Sequence, residues 1–154
     1  MTRKNIRKTI SKVFEPAALR EIYVTRLDLV RLESLIAAAR RDGAADAPHL
    51  DRLESSLAQT TSVDSRAVPP EVVTMNSRVE LEEPDTSAIR TFTLVFPQDA
   101  DPTADRISVL APLGTALLGA VIGDRIEWQA GSALRSMRLR AIPYQPEAAG
   151  DLSL

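Results

Sequence analysis

Apolar residues recur at helical spacing in the first half of this chain and at alternating spacing in the second. Leu29, Leu32, Ile36 and Ala39 follow one another at intervals of 3, 4 and 3, a seam that one side of a helix presents, and Leu35 widens it. Thr25 followed by Asp28 marks the start: the threonine oxygen accepts from a free backbone N–H, and the acid sits at the positive helix end. Asp42-Gly43 ends the helix, because glycine takes up the left-handed conformation without steric cost. Asp46-Ala47-Pro48 opens a second helix with proline in its first turn, where the missing N–H does no harm. Leu50, Leu53 and Leu57 supply the matching seam. So short a connection makes the two helices antiparallel neighbours. Isolated helices of about 12–15 residues are marginal in water. A hairpin over residues 22–60 is therefore expected to need the rest of the chain, or a partner, to hold it.

After a polar linker over residues 61–71, ending in Pro69-Pro70, the period changes to two. Strands are predicted over 77–81, 89–96, 106–110, 125–129 and 134–142. One short helix, 113–119, is entered through Pro112 and left through Gly119. Glu83-Pro84-Asp85, Gly123-Asp124 and Ala130-Gly131 read as turns, and residues 98–105 as an acidic surface loop. Five short strands and one helix predict an α+β domain over residues 72–154, the helix packed on one face of a small antiparallel sheet. Alternation places Phe92, Leu94 and Phe96 together on the face that becomes core.

A length of 154 residues accommodates one domain with an appendage, and 4% aromatic residues leave an aliphatic core. The net charge of −2 argues against wholesale nucleic-acid coating. The charge is unevenly spread: Arg3, Lys4, Arg7, Lys8, Lys12 and Arg20 stand against Glu15 alone in residues 1–20. Residues 1–21 thus read as a basic tail, either simply solvated or an electrostatic arm for nucleic acid or an acidic protein face. Without cysteine there is neither a disulfide framework nor thiolate chemistry. No apolar run approaches the roughly 20 residues that cross a bilayer. The stretch from Ile10 to Leu19 is broken by Ser11, Lys12, Glu15 and Pro16, so a signal-peptide core is lacking. A cytoplasmic monomer is expected.

Candidate chemistry is sparse. His49, the one histidine, has no nucleophile placed beside it and reads as a first-turn surface residue. Asp99, Asp101 and Asp105 lack the loop glycine and closing glutamate of a calcium loop. Gly114 and Gly119 bracket a helix rather than forming a dinucleotide fingerprint. No metal, cofactor or catalytic residue is expected, and the domain reads as one that binds.

Three segments are more specific than pattern: Val72-Val73-Thr74-Met75-Asn76-Ser77-Arg78-Val79, Ala111-Pro112-Leu113-Gly114-Thr115-Ala116-Leu117-Leu118-Gly119, and Tyr144-Gln145-Pro146-Glu147-Ala148-Ala149-Gly150-Asp151. They resemble the Gre transcription-factor superfamily, and most closely its short-hairpin, Rnk-like members, named as regulators of nucleoside diphosphate kinase. The resemblance covers residues 22–151. It implies an antiparallel coiled-coil hairpin followed by an FKBP-like domain. It further implies a non-catalytic regulator that docks on the rim of the RNA polymerase secondary channel and competes with Gre-type factors. The family's rim contact lies before and inside the short helix, here Leu110-Ala111-Pro112-Leu113-Gly114. Proline is kept, Ala111 replaces the serine, and Leu110 stands where many Gre factors have an acid. Pro112, Leu113 and Gly114 are the contacts the resemblance implies, while Leu117 and Leu118 read as core.

An alternative follows from the same resemblance. Gre factors stimulate transcript cleavage with two acids at the hairpin tip, which help hold a second Mg²⁺ and an attacking water. Asp42 and Asp46 flank the Gly43-Ala44-Ala45 turn, although each also has an ordinary role at a helix end. A first helix over residues 25–41 is about 25 Å long, shorter than Gre hairpins. Arg40 and Arg41 suit the negative end of that helix, or else a phosphate or an acidic channel wall. The FKBP-like shape also raises prolyl isomerisation, but Phe92 and Phe96 read as core rather than as an aromatic pocket.

Overall fold

The computed structural model describes residues 24–44, 48–58 and 67–151. The basic tail, Asp46 at the hairpin tip and most of the linker lie outside the described residues.

Helix α1 (Arg26–Ala39) begins as the sequence predicts, with the Asp28 backbone N–H donating to Thr25 Oγ1 at 3.3 Å. It runs into a wider turn, Arg40–Ala44, in which Gly43 takes φ 106° and ends the helical path. Helix α2 (Pro48–Ala58) carries proline at its first position. Leu32 and Ile36 of α1 and Leu50, Leu53 and Leu57 of α2 are buried, so the two seams meet. Leu32, Ile36, Leu53 and Leu57 belong to the same apolar cluster as the strands beyond the linker. That shared core supplies the support a short hairpin lacks alone.

Arg40, at the end of α1, also reaches across to the second helix. Its Nη2 lies 2.7 Å from Asp51 and its Nε 2.9 Å from Glu54, both on α2. The guanidinium thus ties the two helices near the tip.

Strands β1 (Arg78–Glu82), β2 (Ile89–Val95), β3 (Arg106–Ser108), β4 (Arg125–Ala130) and β5 (Ala133–Tyr144) form one sheet in the order β3-β2-β1-β5-β4. Val79, Leu81, Phe92, Leu94, Ile126, Met137 and Leu139 are buried on its inner face, while Arg78, Thr91, Arg106, Arg125 and Arg138 face solvent. This is the alternation of a sheet covered on one side. Helix α3 (Pro112–Leu117) packs on the covered side, mainly against β4.

The sheet departs from a wholly antiparallel one at its edge, where β3 runs parallel to β2 in the register Leu94↔Ile107. Two short 3-10 turns, Pro97–Asp99 and Pro102–Ala104, bring the chain back before β3. Asp101 caps the second through Thr103 at 3.0 Å, and Asp105 completes the reversal at φ 53°. The acidic loop is therefore a folded connection whose aspartates serve the turns.

Arg40→Ala is expected to lower Tm slightly at low ionic strength and to leave it unchanged at high salt, since exposed ion pairs are screened. Thermal unfolding followed by circular dichroism at two salt concentrations checks this.

Candidate functional site

The segment before α3 is held by its own backbone. Ala111 donates its N–H to the Ser108 carbonyl at 3.0 Å and accepts from Thr115 N–H at 2.9 Å. Leu110 N–H donates to Ser108 Oγ at 3.1 Å, and Thr115 Oγ1 donates to the Val109 carbonyl at 2.8 Å. Ala111 offers no side-chain cap, so α3 starts on Pro112, whose ring presets the helical φ. Leu110, Ala111 and Pro112 are half-buried and form the outer edge, whereas Leu113 and Gly114 are buried behind it. A Cβ on Gly114 would lie 2.0 Å from the Ser108 carbonyl oxygen. Only glycine lets the helix approach β3 so closely. Leu117 and Leu118 are buried in the core.

The chain leaves α3 at Gly119, φ 81°, whose N–H donates to the Val73 carbonyl at 2.9 Å. Val73 N–H returns a bond to Ala120 at 2.8 Å, and Asn76 N–H donates to Leu94 in β2 at 2.7 Å. Asn76 sits at φ 66°, a conformation asparagine tolerates better than most residues. Buried Ser77 closes the turn, its Oγ accepting from Thr74 N–H at 3.1 Å.

Gln145 comes in from the far end of the domain. It is 3% exposed, and its Nε2 donates to the carbonyls of Pro69 at 2.8 Å and Val72 at 2.7 Å. Helix α4 (Pro146–Ala149) follows at once, and Glu147 in it accepts from Thr74 Oγ1 at 2.7 Å. Tyr144 donates its hydroxyl to Asp151, and this bond raises the tyrosine pKa. The three segments singled out by resemblance, separated by up to about half the chain, thus meet in one knot.

Asp28 faces this knot from the root of the hairpin. It is 6% exposed, and its Oδ1 makes no hydrogen bond. Its carboxyl is pushed up to about 6, chiefly by burial and then by the charge of Glu147, with Arg31 and the Thr25 hydroxyl opposing. This environment was missed in the sequence, where Asp28 served only as a helix-start acid. A signal was present: Asp28, Leu32 and Ile36 are four residues apart and share one face.

Of the tip acids, Asp42 is exposed in the Arg40–Ala44 turn, and Asp46 lies outside the described residues. His49 falls in the first turn of α2. Phe92 and Phe96 are buried, with the Arg31 guanidinium 5.8 Å from the Phe96 ring centre. Among the described residues, no three His, Cys, Asp or Glu side chains gather to hold a metal ion, and no helix is long and apolar enough to cross a membrane.

Comparison with known proteins accounts for this arrangement. The family described as "Transcription elongation factor, GreA/GreB, C-term" matches residues 68–144, and "Rnk N-terminus" matches residues 20–58. The "Regulator of nucleoside diphosphate kinase" of Escherichia coli K12 is 35% identical over 134 residues, covering 86% of this chain and 96% of the relative. Transcription elongation factor GreA of Solidesulfovibrio magneticus is 33% identical, covering 75% of this chain and 70% of that protein. A solved GreA/GreB-type elongation factor from Nitrosomonas europaea superimposes with a TM-score of 0.69 at 38% identity, over 80% of this chain and 98% of that one. The chain belongs to the GreA/GreB family of transcription elongation factors and, within it, to the Rnk-type proteins.

Two substitutions test the knot. Gly114→Ala is expected to destabilise the protein by about 1–3 kcal/mol, because the clashing atoms are backbone and cannot rotate away. Gln145→Ala leaves two carbonyls without their donor and is expected to cost about 1–3 kcal/mol. Urea unfolding reads both as lowered midpoints; an unchanged midpoint would mean that the site relaxes.

Proposed function

We propose that this protein binds RNA polymerase at the rim of its secondary channel, competes there with Gre-type factors, and acts by occupancy without a chemical step of its own. The observation that supports this most is the backbone-locked edge Leu110-Ala111-Pro112, presented by a buried Leu113 and a Gly114 that no other residue replaces. A half-buried apolar edge that is already ordered loses little conformational freedom on docking. Pro112 makes the contact, and Leu113 and Gly114 keep it in place. Helix α1, 14 residues long and therefore about 21 Å, projects the hairpin toward the channel entrance. The basic residues 1–21 add contacts to nucleic acid or to an acidic surface, and the protein works as a cytoplasmic monomer. The family membership and the GreA relatives favour polymerase as the partner.

A second reading, transcript cleavage through Asp42 and Asp46, is favoured by the exposure of Asp42 on the tip turn. The short hairpin weighs against it.

Purified core RNA polymerase is expected to retain the protein in a pull-down and to lose it to excess GreA. Pro112→Glu is expected to weaken retention about tenfold while leaving the unfolding midpoint near that of the unaltered chain. Absence of binding overturns the reading. With a backtracked complex no short 3′ RNA fragments are expected; release that Asp42→Asn abolishes would establish the cleavage reading instead.

A further inference from the structure

The outer side of α1 carries a second apolar stripe that the core does not use. Leu27 and Val30 are 51% and 61% exposed, one turn apart at the root of the hairpin. Beside them a groove runs between Val30, Ser34 and Leu35 of α1 and Phe96, Gln98 and Asp99 in the turn after β2. Its lining cation, Arg31, is drawn over the Phe96 ring. Its rim is acidic, because Asp99 opens the exposed connection that also carries Asp101 and Asp105. An apolar stripe with a polar rim marks a binding surface. The chain itself holds a segment of matching character. Ile6, Ile10, Val13 and Phe14 recur at helical spacing, Arg3, Lys4, Arg7, Lys8 and Lys12 fill the positions around them, and Pro16 ends the run. A helix this short is marginal in water, so its apolar side calls for a surface to lie on.

We infer that residues 3–15 seat in this groove as a third helix of the hairpin, antiparallel to α1, with Phe14 against Leu27, Ile10 against Val30, Ile6 toward Leu35 and the basic flank on the acidic rim. Position favours this occupant. The described chain begins at Val24, two residues before α1, and the Rnk N-terminus match begins at residue 20. Residues 17–23 span up to roughly 25 Å when extended. Val30 and Leu35 lie only about 6 and 14 Å along α1 from Arg26. The connection is long enough for the chain to return, and one this short makes neighbouring helices antiparallel. A tethered segment also meets its groove at high effective concentration. Charge agrees, since Arg3, Lys4, Arg7, Lys8, Lys12 and Arg20 stand against Glu15 alone, and Asp99, Asp101 and Asp105 face them from the rim. The inference rests on the reading of residues 1–21 as an arm for an acidic surface and makes that surface the protein's own. Once seated, the arm covers the apolar stripe and engages its own cations, so nucleic acid has to compete with the groove for them.

The test uses the full chain free in solution, so its outcome does not depend on polymerase binding. The chain has no cysteine, and Ser11→Cys, on the polar side of the run, takes a single nitroxide label. Backbone amide NMR signals of Val30, Ser34, Gln98 and Asp99 are expected to lose most of their intensity and to regain it when the label is reduced. Those of Gly131 and Arg135, by the opposite edge of the sheet, are expected to keep theirs. Ile10→Glu in the arm and Val30→Lys on α1 are each expected to abolish the loss. Val30 is exposed, so its replacement leaves the core intact. A loss at the groove that survives both substitutions overturns the seat. So does a loss that appears between molecules when spin-labelled and isotope-labelled chains are mixed, which puts a second copy in the groove. Undiminished signals at the groove also overturn it and leave the arm to an external partner such as nucleic acid.

Discussion

One buried amide governs how the parts of this protein are joined. Gln145 directs its two N–H groups to the carbonyls of Pro69 and Val72, in a segment that belongs to no strand ladder. Backbone groups taken out of water need partners, and here a side chain from the far end of the domain provides them. With those carbonyls satisfied, Val73 exchanges bonds with Gly119 and Ala120 behind α3, and Asn76 and Ser77 exchange bonds with Leu94 in β2. The position of α3, and of the Pro112 edge with it, follows from this knot rather than from the helix itself, which at six residues has little stability of its own.

The hairpin depends on the same place. Its seam residues are few, and four of them continue into the core formed by the sheet. Arg40 closes the hairpin near its tip, while the Thr25 hydroxyl caps its start beside buried Asp28. The arrangement combines a well-packed apolar contact with a poorly compensated polar one. The apolar contact supplies stability.

Much of this was legible in the chain. Leucine spacing marked both helices, and Pro112 and Gly119 marked α3 to within two residues, because such signals act over one or two turns. Period-two alternation located all five strands and the buried Phe92, Leu94 and Phe96. The family resemblance rested on three segments, and the matches to GreA/GreB and Rnk-type proteins agree with it. Less visible were partners chosen across long separations: Arg40 with Asp51 and Glu54, Thr74 with Glu147, Gln145 with Pro69 and Val72. The parallel edge strand was missed for the same reason, since its direction is set by how two proline turns add up in space.

By itself, then, the sequence determined the two hairpin helices, α3, the five strands, the aliphatic core and the family, because each is encoded by the character and spacing of neighbours. Tertiary structure alone decided that the three resembling segments form one knot, that Leu113 and Gly114 stand behind Pro112 rather than beside it, and that Asp28 is held away from water. Burial and pairing belong to groups brought together by folding, and a carboxylate's charge state depends on what surrounds it, not on its place in the chain.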